Sequence, residues 1–160
     1  MHSLVLMTTP QERDPRTHVL IGAGMEVHNI VGSGFGERVV RDAFAIELQL
    51  RRIPFMTEVP FPIIYKGHKL AGPYRADFVC FDSVVVEMKV VGTKTGSLEQ
   101  AQMLNYLRAS GLSTGLLLNF GLPSLEYRRF VLSPDEFWRA AREDPRDDKP
   151  TFLPAEENIP

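Results

Sequence analysis

Residues 75–89 read Arg75-Ala76-Asp77-Phe78-Val79-Cys80-Phe81-Asp82-Ser83-Val84-Val85-Val86-Glu87-Met88-Lys89, two apolar runs with a short polar break between them. The second run continues to Val91 and has the composition of a central strand buried on both faces. Glu87 and Lys89 interrupt it at a spacing of two, so they share one face. A buried charge without a partner costs several kcal/mol, which valine would avoid. Opposite charges at these positions mean either a buried ion pair or a site. Asp77 adds a third charge from the first run, and its placement depends on register. A hairpin centred on Asp82 sets Asp77 opposite Glu87 on one face. A strict two-residue turn at Asp82-Ser83 sets it opposite Met88, on the other face. The reading adopted is a three-residue connection, Phe81 to Ser83, or a bulge.

Two ionised carboxylates facing each other across a strand pair repel unless a cation lies between them. Their oxygens suit Mg2+ or Mn2+, with water and a substrate phosphate completing the coordination. Such an ion lowers the pKa of bound water and clamps a phosphate oxygen. Lys89, on the same face, can orient the attacking water and offset the charge of a pentacovalent transition state. As a bare pattern, Asp followed later by Glu-x-Lys is common on solvated strands. The apolar setting of Glu87 sets this instance apart.

Outward from the hairpin, the order of elements is that of an α/β fold. Thr17 to Val31 fits a helical period, and a second helix runs from about Phe35 to Arg52 on a stripe of Val39, Ala43, Ile46 and Leu50, with Val40 and Phe44 alongside. Glu58 to Tyr65 reads as a first strand, with Pro60 and Pro62 marking an edge, and Lys66-Gly67-His68 as a turn. After the hairpin, Ser97 with Gln100 has capping-box spacing and starts a helix to about Ala109. Thr114 to Phe120 and Tyr127 to Leu132 are further strands. The first three strands should form an antiparallel meander, and the helical crossover allows the fourth to run parallel to one of them. Ser133-Pro134-Asp135-Glu136 opens a short helix carrying Phe137 and Trp138. The expected division is a loose tail over 1–15, one domain over 16–143 and a flexible tail over 144–160.

The 160 residues are 44% hydrophobic and 24% charged, enough for one core without disulfides. The single cysteine, Cys80, lies in an apolar run, which excludes a zinc cluster and fits a reducing compartment. No apolar stretch is long enough for a bilayer and the N-terminus does not read as a signal peptide, so the cytoplasm is expected and a membrane partner is not. The net charge of −2 weighs against strong non-specific nucleic-acid binding, while leaving room for a local basic face.

Gly34-Phe35-Gly36-Glu37, Arg75-Ala76-Asp77-Phe78, Val86-Glu87-Met88-Lys89 and Ala101-Gln102-Met103-x-x-Tyr106-Leu107 together resemble the GxxExxY proteins of the PD-(D/E)xK nuclease-like superfamily. Ile21 to His28 is similar to that family's first helix, and the likeness runs over about residues 17 to 132. It implies a restriction-endonuclease-like core, a mixed sheet of four to five strands flanked by helices. It also implies a Mg2+- or Mn2+-dependent nuclease acting on nucleic acid, with DNA favoured. By the same resemblance Asp77, Glu87, Met88 and Glu37 form the metal-binding set, Lys89 is the superfamily's lysine, and Gln102 and Tyr106 are polar positions facing the site. Val40 stands where the family name expects Tyr.

Blander readings stand beside these. Glu37 begins a helix, where the dipole favours a carboxylate in any case. Glu26 shares a stripe with Val19, Ala23 and Ile30, so it is a candidate to point inward beside the site, with His28 structural. Gln102 and Tyr106 at spacing four can simply cap the core edge with satisfied hydrogen bonds. A non-catalytic binding module on the same fold is the rival function. A homodimer suits a small enzyme cutting a duplex, but no segment identifies its surface.

Overall fold

The computed structural model describes residues 14–72 and 74–133. Its elements are α1 (Pro15–Val31), α2 (Glu37–Leu50), β1 (Phe55–Phe61), β2 (Ile64–Tyr65), β3 (His68–Lys69), β4 (Tyr74–Cys80), β5 (Val84–Lys89), α3 (Ser97–Ser110), β6 (Thr114–Asn119) and β7 (Glu126–Val131). The tail at 1–13 and the helix and tail expected beyond Ser133 lie outside the described residues. No helix among the described residues is long and apolar enough to cross a membrane.

Five strands form one sheet in the order β1-β4-β5-β6-β7. Every neighbouring pair is antiparallel except β5 and β6, which run parallel. A parallel pair needs a long crossover, and α3 supplies it. The expected meander with one parallel addition is therefore found, and β1, carrying Pro60, is an edge. The Lys66-Gly67 turn belongs to a separate two-stranded hairpin of β2 and β3, so the expected first strand divides at Pro62-Ile63.

The sheet separates two apolar layers. On one face α1 and α2 bring Leu20, Val27, Val40, Phe44 and Leu48 onto Phe78, Val86, Met88 and Leu118. On the other, α3 brings Met103, Leu104 and Leu107 onto Val79, Val85, Leu117 and Phe130. The central strands β5 and β6 are covered on both sides, which explains why they are apolar on both faces apart from Glu87, Lys89, Thr114 and Asn119.

Three local expectations need correction. The buried line of α2 is Val40, Phe44 and Leu48, whereas Ile46 is 57% and Leu50 74% exposed. The buried line of α1 is Thr17, Leu20, Ala23, Gly24, Val27 and His28, so Glu26 faces outward and is exposed. The cap of α3 is Gly96 rather than Ser97, and its N–H donates to the Glu99 carboxylate at 2.8 Å. For α1 and α2 the apolar period was legible but its phase was set by the neighbouring layer.

Candidate active site

The geometry begins in the β4–β5 turn. Cys80 pairs with Val84, Val79 with Val85 and Phe78 with Val86, so the hairpin centres on Asp82 with Phe81, Asp82 and Ser83 as a three-residue connection. Phe81 and Asp82 both adopt left-handed backbone, at φ 55° and 53°. That conformation costs a non-glycine residue about 1 kcal/mol or more. It is held by the Phe81 N–H donating to the Pro54 carbonyl at 3.0 Å and by the Arg16 guanidinium donating to Ser83 Oγ at 2.8 Å. The same register carried one step further sets Asp77 opposite Glu87.

At that step the backbone ladder gives way to side chains. The Asp77 N–H donates to Glu87 Oε1 at 2.9 Å, and the Met88 N–H donates to Asp77 Oδ2 at 2.8 Å. Ala76 and Val79 pack on the α3 side while Phe78 and Cys80 pack on the α1/α2 side, so the alternation of β4 breaks at Asp77. The opposing position on β1, Glu58, lies between the pairs Thr57–Phe78 and Val59–Ala76 and has φ 50°. This irregularity lets both carboxylates enter the sheet from strands that are otherwise apolar.

Asp77 and Glu87 are both buried. Burial, followed by the charge of Asp77, pushes the Glu87 carboxyl up to about 8 against a weaker pull from Lys89. The unligated pair therefore keeps a proton in place of a second negative charge. Lys89, on the same face of β5 as Glu87 and half-buried, is positioned to act on it electrostatically. Tyr106 of α3 donates its hydroxyl to the Arg75 carbonyl at 3.1 Å. Its ionisation is pushed up by burial and then by the charges of Glu87 and Asp77, so it stays a neutral donor beside them. Gln102, one turn earlier, acts on the Tyr106 hydroxyl in the opposite direction, favouring its ionised form. The structure thus brings together Asp77, Glu87, Lys89, Tyr106 and Gln102.

The remaining sequence candidates are placed elsewhere. Glu37 is exposed in the first turn of α2, and its side chain forms no hydrogen bond or ion pair among the described residues. Glu26 lies on the outer face of α1. The Met88 side chain belongs to the α1/α2 core, so only its main chain reaches the site. His28 is structural, with Nε2 2.8 Å from the Leu122 carbonyl and its ring stacked on Phe120. Cys80 is a buried thiol pushed up to about 12 by burial and is chemically quiet.

Two features were not visible in the sequence. Arg41, one turn beyond Glu37, reaches Asp77 Oδ1 at 3.2 Å and Glu58 Oε1 at 3.6 Å. Its one available signal was a position four residues after Glu37 on a helix already assigned to the sheet. The second feature is a support for the loop after β5. Buried Asn119 accepts the N–H groups of Val91 and Gly121 and donates to the Thr93 carbonyl and to Glu126 Oε2. Glu126 in turn accepts the Thr95 N–H and hydroxyl, and Arg128 donates to the Thr95 and Gly96 carbonyls. This network ties the end of β5, and with it Lys89, to the start of α3.

The donor set fits a hard divalent cation. Two carboxylates with mutual repulsion offer oxygen ligands, and Glu87 holds a proton that a cation can replace. Two carboxylates alone form the acidic cluster: no group of three or more His, Cys, Asp or Glu able to hold a metal occurs among the described residues. An ion here would depend on main-chain oxygen, water or substrate for its remaining ligands.

Comparison with solved structures finds the protein titled SSO0001, 17% identical over 84% of this chain and 86% of that one, at a TM-score of 0.42. No curated protein matches the sequence. The model of the PD-(D/E)XK nuclease superfamily matches residues 14–130, a span that holds the whole sheet but the last residue of β7 and all three helices. The pair of carboxylates at the splayed end of the β4–β5 hairpin, the lysine two residues on and the match over most of the chain lead to one assignment: this protein belongs to the PD-(D/E)XK nuclease superfamily.

Proposed function

We propose that this protein is a divalent-metal-dependent nuclease that hydrolyses phosphodiester bonds, with DNA as substrate and Mg2+ or Mn2+ as the ion. Within the superfamily, its motifs fit the GxxExxY group. The observation that carries the reading is the buried Asp77–Glu87 pair, joined through reciprocal bonds to the backbone and keeping a proton because burial and mutual repulsion oppose its second negative charge. Superfamily membership supports nucleic acid as the partner and a divalent ion as the cofactor. When bound, the ion would polarise the phosphate and activate a water. Asp77 and Glu87 would hold it, and Lys89 would orient the attacking water and offset charge on the phosphorane. Tyr106, kept neutral, donates a hydrogen bond that fixes the Arg75 backbone behind Asp77.

The test is cleavage of plasmid and oligonucleotide DNA with Mg2+ or Mn2+ by the wild type, Asp77→Ala and Lys89→Ala. Loss of cleavage in both variants, with unchanged circular dichroism, supports the assignment. Metal-dependent cleavage that survives both changes overturns it. A second reading, a non-catalytic module on the nuclease fold, is favoured by the hold of Arg41 on Asp77 and by the exposed position of Glu37. It would be supported by a folded wild type that binds nucleic acid and never cuts it.

A further inference from the structure

Arg41 is a strange neighbour for a metal ligand. Asp77 has two oxygens: Oδ2 accepts the Met88 N–H and Oδ1 is paired with the Arg41 guanidinium. A cation approaching Asp77 at Oδ1 must displace that guanidinium or share the oxygen with it. Arg41 has somewhere to go. It already touches Glu58, whose own side chain is largely solvent-exposed. Both line a cleft of about 390 Å³ between α2 and β1, with Arg38, Asp42, Ala45, Thr57 and Phe78 as its other walls. Arg38 and Arg41 lie three residues apart on one face of α2, so two guanidinium groups border the same opening. A planar guanidinium released from a carboxylate is well suited to take a phosphate in a bidentate contact.

We propose that Arg41 is a positioning residue that occupies the cation's place at Asp77 and, when a divalent ion enters, turns into the α2–β1 cleft to hold a phosphate of the nucleic-acid backbone. The inference rests on the metal-dependent reading above. It makes metal and phosphate binding mutually reinforcing, because each ligand removes the competitor of the other.

The test compares the wild type with Arg41→Gln and Arg41→Lys. Calorimetric titration with MnCl2 should show Arg41→Gln binding the ion about tenfold more tightly than wild type, since the competing charge is gone. Arg41→Lys keeps the charge and should stay close to wild type. A fluorescent DNA duplex titrated with and without Ca2+ should bind the wild type more tightly when the ion is present, and Arg41→Gln should lose that gain. A merely structural role for Arg41 would weaken or leave unchanged the affinity for Mn2+, and either result, in a folded variant, overturns the inference while leaving the nuclease reading intact. Absence of Mn2+ binding by the wild type and both variants at millimolar ion overturns the nuclease reading and the inference together.

Discussion

Asp77 and Glu87 are joined through each other's strand: the Asp77 N–H donates to Glu87 Oε1, and the N–H following Glu87, that of Met88, donates to Asp77 Oδ2. Each carboxylate accepts a main-chain N–H of the opposite strand just beyond Phe78–Val86, where the regular pairing stops. The strands therefore part where the site needs room, and the Asp77 and Met88 N–H groups keep acceptors across the parting. The charge that results is not balanced within the pair, and much of the behaviour expected of the protein follows from that.

Stability without metal should fall as pH rises. The folded Glu87 carboxyl titrates at about 8, above the ordinary glutamate value of 4.5, because burial and Asp77 both oppose its charge. Between those values the folded chain retains a proton that the unfolded chain has lost, so folding weakens across that window and levels off above it. Glu87→Gln removes the titration and should stabilise the metal-free protein at pH 8 by on the order of 2 kcal/mol, with little change at pH 5. Thermal melts at the two pH values in a chelator check this. Addition of Mn2+ should raise the wild-type melting temperature and leave that of Glu87→Gln unmoved.

Asn119→Ala should be among the more damaging changes outside the carboxylate pair. All four hydrogen bonds of this buried amide are used, and its loss leaves the Val91 and Gly121 N–H groups without their acceptor. A cost of about 3 kcal/mol is expected in denaturant unfolding. Hydrogen exchange at Val91 and Gly121 should accelerate before exchange in the α1/α2 layer does.

Gly121→Ala should also unfold the protein readily, for a different reason. A Cβ at this position would sit on the backbone of Val91, which cannot turn aside as a side chain could. The strand end would have to move, at a cost of several kcal/mol. A melting temperature within a few degrees of wild type would show that the β5–β6 ends are looser than their packing implies.

The hairpin and its charges were legible because the turn fixes the register. Counting outward from Asp82 puts Asp77 and Glu87 opposite each other, and the register agrees. The crossover helix and the parallel β6 followed from apolar runs that only a doubly covered strand carries. The helix faces were less legible. α1 and α2 have apolar residues over a wide arc, and a shift of one residue moved Val40 inward, Ile46 outward and Glu26 into solvent. Arg41 carried no more than its spacing from Glu37, since its partners Asp77 and Glu58 come from two strands that meet α2 only in the folded chain. The same is true of the bonds linking Asn119, Glu126 and Thr95, which span distant parts of the sequence and carry no local pattern.

The most direct measurement is anomalous diffraction from a crystal of the protein soaked in MnCl2. A peak is expected between Asp77 and Glu87, at about 2.0–2.3 Å from a carboxylate oxygen of each, with the Arg41 guanidinium withdrawn from Oδ1. Saturating Mn2+ that leaves no peak there, with Arg41 still paired to Asp77, would contradict it.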